Sequence, residues 1–139
     1  MYDIYGMTDL VFFYGTLMSG FKREGRTRVE LALEPVGRGS IQALLFDIGI
    51  YPAAIPAPDC RVYGEVHRML DPGTVLQALD EIEGYHHDRP DASLYLRAET
   101  LVSLDDGRVM LTWVYFYNAP LGGAPRIESG DYLAYLKVK

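Results

Sequence analysis

Five runs of β-forming residues limit the fold of this chain more than any other feature of its sequence. The runs are rich in valine, leucine, isoleucine and aromatic residues, and turn-forming residues separate them, as expected for strands. They lie at residues 9–14, 39–48, 61–70, 94–104 and 108–117. Many strand-like runs with few helical patterns favour an α+β domain built around a sheet.

Two connections between these runs carry further signals. The segment at residues 50–59, IYPAAIPAPD, is rich in proline, which predicts an irregular edge segment followed by a loop. Asp106-Gly107 separates the last two runs and predicts a β-hairpin with a two-residue type I′ turn. The last two strands should therefore be neighbours in the sheet.

Only one helix is clearly marked, at residues 72–83. Asp71 is suited to cap its N-terminus, Pro72 suits its first position, and Gly84 follows its end. A weaker helical pattern spans residues 26–33.

These elements fit within one domain of 139 residues. We predict an α+β fold, a small closed or nearly closed β-barrel with one or two flanking helices. Residues 1–8 precede the first strand-like run and are predicted to be a flexible extension.

Composition excludes several classes of site and partner. Cys60 is the only cysteine, which excludes an intramolecular disulfide and a cysteine-based zinc site and favours a reducing, cytoplasmic compartment. No run approaches the ~20 apolar residues of a membrane span, and the N-terminus lacks the pattern of a signal peptide. The formal net charge of −6 argues against nucleic acid or an anionic membrane as a partner.

Three acidic residues at the end of the predicted helix face different directions. The apolar stripe of this helix consists of Val75, Leu76, Leu79 and Ile82. At ~100° per residue, Glu83 falls about 50° from the centre of the stripe, whereas Asp80 and Glu81 fall roughly 110° and 150° from it. Asp80 and Glu81 are therefore predicted to face solvent. Glu83 is predicted to lie at the edge of the core, where a charge is costly.

Helix periodicity leaves two interpretations of Glu83 open. Glu83 could lie at a frayed helix end, where it bends towards water or pairs with an arginine such as Arg97. Alternatively, a partly desolvated cavity could hold the carboxylate and raise its pKa towards neutrality. Such a group can act as a general base and then as a general acid.

Other patterns do not indicate a cofactor site. His86 and His87 are adjacent, so on an extended chain they point apart and rarely bind the same metal. The serines lack a G-x-S-x-G context, and the glycine-rich segments lack the strand, loop and helix order of a nucleotide fingerprint.

A set of segments resembles a known family in the same order along the chain. The segments are FFYGTLMSG, GIYPAAIP, VYGEVHRM, LDEIEGY, SLYLR, TWVYFYN and IESGDYLAYL. Together they resemble the gamma-glutamylcyclotransferase-like family, also called the AIG2-like family. The resemblance implies a small β-barrel with flanking helices, a γ-glutamyl small molecule as substrate, and no cofactor.

The resemblance also implies a site. In the family, the loop after the first strand holds the glutamyl end of the substrate. Here that loop consists of Tyr14, Gly15, Thr16 and Leu17. The family's catalytic acid ends an L-D-x-x-E segment, which corresponds to Glu83. Exposed loop N–H groups would bind the substrate, and Gly15 would permit close approach.

The implied reaction is attack of the substrate's α-amine on its own γ-glutamyl amide, giving 5-oxoproline and a free amine or amino acid. Such an enzyme is a cyclising transferase or lyase, with Glu83 transferring the proton. Strand alternation leaves open which of four candidate cavity residues face the site: Tyr95, Arg97, Tyr115 and Tyr117. Two alternatives remain, a non-catalytic module that binds a small ligand in the same cavity, and another enzyme that processes γ-glutamyl amides.

Overall fold

The structure, a computed structural model, describes residues 8–18 and 24–138. Within these residues, five strands form a closed barrel in the order β1-β3-β2-β4-β5. The strands are β1 (Leu10–Phe13), β2 (Leu33–Asp47), β3 (Pro52–Met69), β4 (Tyr95–Leu104) and β5 (Val109–Tyr117). The predicted α+β fold with a small closed barrel is confirmed.

The barrel closes at the short strand β1. This strand pairs antiparallel with β3, where Val11 lies opposite His67, and parallel with β5, where Val11 lies opposite Trp113. All four residues of β1 are buried. β1 is therefore a central element whose C-terminal end delivers the following loop to the barrel.

The described helices lie between these strands or after them. They are α1 (Glu24–Val29), α2 (Pro72–Glu83) and α3 (Tyr132–Val138), with 3-10 turns at Glu30–Ala32 and Pro90–Ala92. α2 has the predicted bounds. Its capping residue Asp71 accepts a hydrogen bond from the Thr74 N–H at 3.4 Å. The weaker pattern at residues 26–33 corresponds to α1 and the first 3-10 turn, while α3 was not predicted.

The prediction for the Pro-rich segment is only partly right. Residues 52–56 pair with β2 and lie beyond the stretch of β3 that pairs with β1, which confirms an edge position. The segment is nevertheless the first part of the long strand β3 and not irregular chain. Between Pro56 and Arg61 the register shifts, and Asp59 within this bulge has a φ of 65°. Proline is tolerated because an edge strand leaves some N–H groups without a ladder partner.

Two further predictions need correction. The β4–β5 hairpin is present, but its turn spans residues 105–107: the Leu104 N–H bonds the Arg108 carbonyl at 2.8 Å, and only Gly107 has positive φ there. A type I′ turn would require two such residues. Thr8, assigned to the flexible extension, is 3% exposed, and its hydroxyl donates to the Leu111 carbonyl at 2.7 Å. Residues 1–7 of that extension lie outside the described residues.

α2 packs its apolar stripe onto the barrel as predicted. Val75, Leu76 and Leu79 are buried within the main core cluster, and Ile82 is half-buried against it. This packing directs the last turn of α2 towards the loop that follows β1. The end of α2, the end of β1 and the beginning of β3 thereby meet around one cleft.

Candidate active site

A cleft opens at this meeting point. Its volume is about 370 Å³, including the solvent at its mouth. The residues that line it are Phe12, Phe13, Tyr14, Gly15, Thr16, Leu17, Tyr51, Pro52, Glu83, Tyr95 and Tyr115. Among these described residues, Glu83 is the only one with a carboxyl group. The structure therefore brings the predicted acid and the four predicted loop residues together.

The loop after β1 is a tight turn. The Met18 N–H bonds the Gly15 carbonyl at 3.0 Å and closes the turn. Within the described part of the chain, the backbone N–H groups of Gly15 and Leu17 make no hydrogen bond. Both residues line the cleft, which makes these two N–H groups candidates to bind a polar group there.

Gly15 is required by its surroundings as well as by this loop. A Cβ atom at position 15 would lie 2.7 Å from Cγ and 3.0 Å from Cδ of Pro52. Pro52 is buried, and its carbonyl accepts a hydrogen bond from the Tyr95 hydroxyl at 2.9 Å. The loop therefore packs directly against the first residue of β3, and close packing holds Gly15 in place.

Tyr14 forms an internal wall of the cleft. Its hydroxyl donates to the Tyr115 carbonyl at 2.6 Å and accepts from the Ala54 N–H at 3.4 Å. Burial raises the pKa of Tyr14 well above its usual value, and the nearby Tyr95 and Glu83 raise it further. The Tyr14 phenol therefore stays protonated at neutral pH and links β1, β3 and β5 beside the loop.

Glu83 ends a capped helix, not a frayed one. The Tyr85 N–H bonds the Asp80 carbonyl at 2.9 Å, the Gly84 N–H bonds the Glu81 carbonyl at 3.4 Å, and Gly84 has a φ of 68°. These bonds form a Schellman motif, which closes the helix C-terminus. The side chain of Glu83 is half-buried and lines the cleft, so its predicted position at the core edge is confirmed.

The other two acids of α2 differ from each other in their surroundings. Glu81 is exposed, as predicted, and its carboxylate pairs with Arg28 at 2.7 Å. The prediction that Asp80 faces solvent is wrong. Its two oxygens accept bonds from Arg97 Nε at 2.8 Å and Nη2 at 3.2 Å, and one also accepts a bond from the Tyr115 hydroxyl at 2.6 Å. β4 and β5 cover this flank of α2, and helix periodicity alone does not contain that information.

The four candidate cavity residues divide into two pairs. Tyr95 and Tyr115 line the cleft, whereas Arg97 and Tyr117 are not among its lining residues. Arg97 binds Asp80, so the interpretation in which Arg97 pairs with Glu83 is wrong. The Tyr117 ring packs edge-on against Tyr95, with centroids 5.3 Å apart.

Four lining residues were missed by sequence reasoning: Phe12, Phe13, Tyr51 and Pro52. Tyr51 and Pro52 belong to the GIYPAAIP segment, one of those that carried the family resemblance, and this was the available signal. Phe12 and Phe13 belong to the first strand-like run, and nothing in the sequence distinguishes them from other buried strand residues.

Metal-binding clusters and membrane-spanning helices are both absent from the described residues. No three His, Cys, Asp or Glu side chains in residues 8–18 and 24–138 are arranged to bind a common metal ion. None of the helices in this part of the chain has the length and apolar character needed to cross a membrane.

Comparison with known proteins identifies a family. The family model described as "Gamma-glutamyl cyclotransferase, AIG2-like" matches residues 11–134. The gamma-glutamylcyclotransferase family protein YtfP of Escherichia coli K12 is 32% identical over 124 residues, which cover 88% of this chain and 95% of YtfP.

Solved structures agree with the fold. The solution NMR structure of E. coli YtfP superimposes with a TM-score of 0.63 at 31% identity, covering 91% of this chain and 97% of YtfP. The crystal structure of YkqA from Bacillus subtilis has a TM-score of 0.70 at 24% identity and is similar in fold. The match covers 95% of this chain but only 42% of YkqA.

Proposed function

Because the chain belongs to the AIG2-like gamma-glutamyl cyclotransferase family, we propose that it cleaves γ-glutamyl amides by cyclisation. The products would be 5-oxoproline and a free amine or amino acid. One observation carries the proposal: the half-buried residue Glu83 shares a cleft with Gly15 and Leu17, whose backbone N–H groups make no hydrogen bond to another described residue. A base and a set of oriented donors are what this reaction requires.

The reaction needs little covalent chemistry from the protein. The nucleophile is the substrate's own α-amine, and the electrophile is the γ-carbonyl carbon of the same molecule. Holding the two in a folded conformation can supply ~7–11 kcal/mol of the barrier, because oriented intramolecular attack avoids the entropic cost of a bimolecular encounter. Apart from Glu83 and Thr16, the side chains that line the cleft are aromatic or apolar and are suited to restrict the substrate's conformations.

Glu83 has two roles in the proposed mechanism. Its carboxylate first removes a proton from the α-ammonium group, and the freed amine attacks the γ-carbonyl carbon. The loop N–H groups of Gly15 and Leu17 then hydrogen-bond negative charge on the substrate, including the oxygen of the tetrahedral intermediate. As the C–N bond of the amide breaks, protonated Glu83 gives its proton to the departing nitrogen. The ring nitrogen loses its second proton to the regenerated Glu83 carboxylate, which passes it to solvent or to the free amine, and the neutral five-membered lactam remains.

Substrate turnover tests this proposal directly. The purified protein is incubated with a panel of γ-glutamyl dipeptides and γ-glutamylamines, and 5-oxoproline is measured by mass spectrometry. A wild-type protein that binds a member of the panel without converting it would support a non-catalytic binding module. A product other than 5-oxoproline would support a different γ-glutamyl amide-processing enzyme. A cytoplasmic location stays a prediction from the single cysteine.

Glu83→Gln tests the assigned residue. Glutamine is nearly isosteric but cannot exchange the proton, so kcat should fall ~10²–10⁴-fold. The thermal midpoint should stay the same or rise slightly, because a partly desolvated charge is removed from a functional position. Glu81→Gln is the matched control, since Glu81 lies two residues away on the exposed side of α2. Near-normal kcat in folded Glu83→Gln protein would remove Glu83 from the mechanism.

A further inference from the structure

A cluster of three side chains adjoins the cleft, and one of them, Tyr115, also lines it. Arg97 of β4 binds both oxygens of Asp80, and the Tyr115 hydroxyl of β5 donates to one of them. The Arg97 guanidinium also lies over the Trp113 ring at 4.4 Å and over the Tyr85 ring at 5.4 Å. The side chains of Asp80 and Arg97 are only 18% and 15% exposed, so this is a fixed ion pair and not a mobile surface contact.

The cluster lies close to Glu83. Asp80 and Glu83 are three residues apart on α2, a spacing that places Cβ atoms about 5–6 Å apart on neighbouring positions of the helix surface. Tyr115 connects them, since its ring lines the cleft with Glu83 while its hydroxyl bonds Asp80. Arg97 binds the same Asp80 carboxylate, so the ion pair is one hydrogen bond away from a residue that lines the cleft with Glu83.

We propose that Asp80 is a positioning residue that holds the Arg97 guanidinium beside the cleft and away from the Glu83 carboxylate. This proposal rests on the proposed role of Glu83 as the base. Arg97 is permanently charged and suited to bidentate binding of a carboxylate. Asp80 provides such a carboxylate, because each of its two oxygens accepts a hydrogen bond from Arg97. α2 therefore carries one acid that binds the arginine, Asp80, and another three residues later that lines the cleft, Glu83.

The consequence for Glu83 follows from simple electrostatics. A guanidinium within about 4–6 Å stabilises a carboxylate and lowers its pKa by roughly 1–3 pH units, which makes it a poorer base. Asp80 neutralises Arg97 locally, so the pair presents little net charge to the cleft. The other titratable groups that line the cleft with Glu83 are phenols from four parts of the chain: Tyr14, Tyr51, Tyr95 and Tyr115.

Carboxyl ¹³C NMR titration of Glu83 tests this without relying on turnover. The Glu83 resonance is assigned by its loss in Glu83→Gln protein, and its titration midpoint is then compared across four proteins. Asp80→Asn leaves Arg97 unneutralised and should lower the midpoint by ~1 pH unit, whereas Arg97→Met leaves Asp80 unneutralised and should raise it by a similar amount. The double variant removes both charges and should return the midpoint to within about 0.3 units of wild type.

Glu81→Gln is the control for this titration. Glu81→Gln removes an acid next to Asp80 that is paired with exposed Arg28, so it should leave the Glu83 midpoint within about 0.3 units of wild type. A purely structural ion pair would lower the thermal midpoint of Asp80→Asn without moving the Glu83 titration. That outcome in folded protein would overturn the proposal. Should Asp80→Asn fail to fold, the Arg97→Met and double variants still provide the comparison.

Turnover separates this proposal from the proposed function. In an active enzyme, the acidic limb of the kcat/KM profile should move with the Glu83 midpoint in each variant. If the wild-type protein forms no 5-oxoproline but the four-protein titration pattern appears, the proposed function fails and the positioning role of Asp80 stands. If turnover occurs but the Glu83 midpoint does not respond to Asp80→Asn, the positioning role fails alone.

Discussion

Substitution of Gly15 by alanine should destabilise the protein through one contact. The added Cβ would lie 2.7 Å from Cγ of Pro52, whereas nonbonded carbon atoms prefer about 3.5–4.0 Å. One of the two segments must therefore move by roughly 1 Å. Pro52 cannot yield easily, because it is buried, pairs with Asp47 of β2, and accepts the Tyr95 hydroxyl bond.

The expected loss in the free energy of unfolding can be estimated from other proteins in which a methyl group was added to a packed core. Inserting one methyl group without space typically costs ~1–3 kcal/mol, which corresponds to a fall of about 3–10 °C in the thermal midpoint for a domain of this size. Gly15 has no positive φ, so backbone strain contributes little to that cost. Gly15→Val should cost more, and its effect on substrate affinity is interpretable only after correction for the unfolded fraction.

A double-mutant cycle isolates the contact. Urea unfolding is measured for wild type, Gly15→Ala, Pro52→Ala and the double variant. Pro52→Ala removes the two atoms that the new Cβ would meet, so Gly15→Ala should cost at least ~1 kcal/mol less in the Pro52→Ala background. If Gly15→Ala costs under about 0.5 kcal/mol in both backgrounds, the packing argument is wrong and Gly15 is required only by the ligand.

Two other predictions concern pH and metals. Burial and the hydrogen bond to Asp80 raise the pKa of Tyr115 in the folded state, so its stabilising effect is complete below the unfolded value of about 10 and declines above it. The free energy of unfolding should fall by ~1.4 kcal/mol per pH unit above pH 10 from this group, and Tyr115→Phe should make the measured slope shallower by that amount. Turnover should survive treatment with EDTA, because in the proposed mechanism Glu83 transfers the protons and backbone N–H groups bind the negative charge. Full loss of activity that one divalent metal restores would contradict the mechanism.

Local sequence patterns determined the elements that depend on near neighbours. The bounds of α2 follow from Asp71, Pro72 and Gly84, because capping and a left-handed terminus are set by residues within one turn. Glu83 could be placed at the core edge for the same reason, since the periodicity of a helix fixes the angle between its own side chains. The family resemblance added the loop after β1, which the structure places in the same cleft.

Tertiary structure alone decided which partners reach those side chains. Asp80 lies far from the apolar stripe of α2, yet it is half-buried because β4 and β5 bring Arg97 and Tyr115 against that flank. The pairing of a carboxylate with an arginine 17 residues away depends on how the hairpin packs on the helix, and no periodicity within either element contains it. Pro52 likewise joins the site because β3 begins beside the loop after β1, which places a rigid ring where Gly15 has no side chain. Such contacts link residues distant in sequence, so their existence is a property of the closed barrel and not of any single segment.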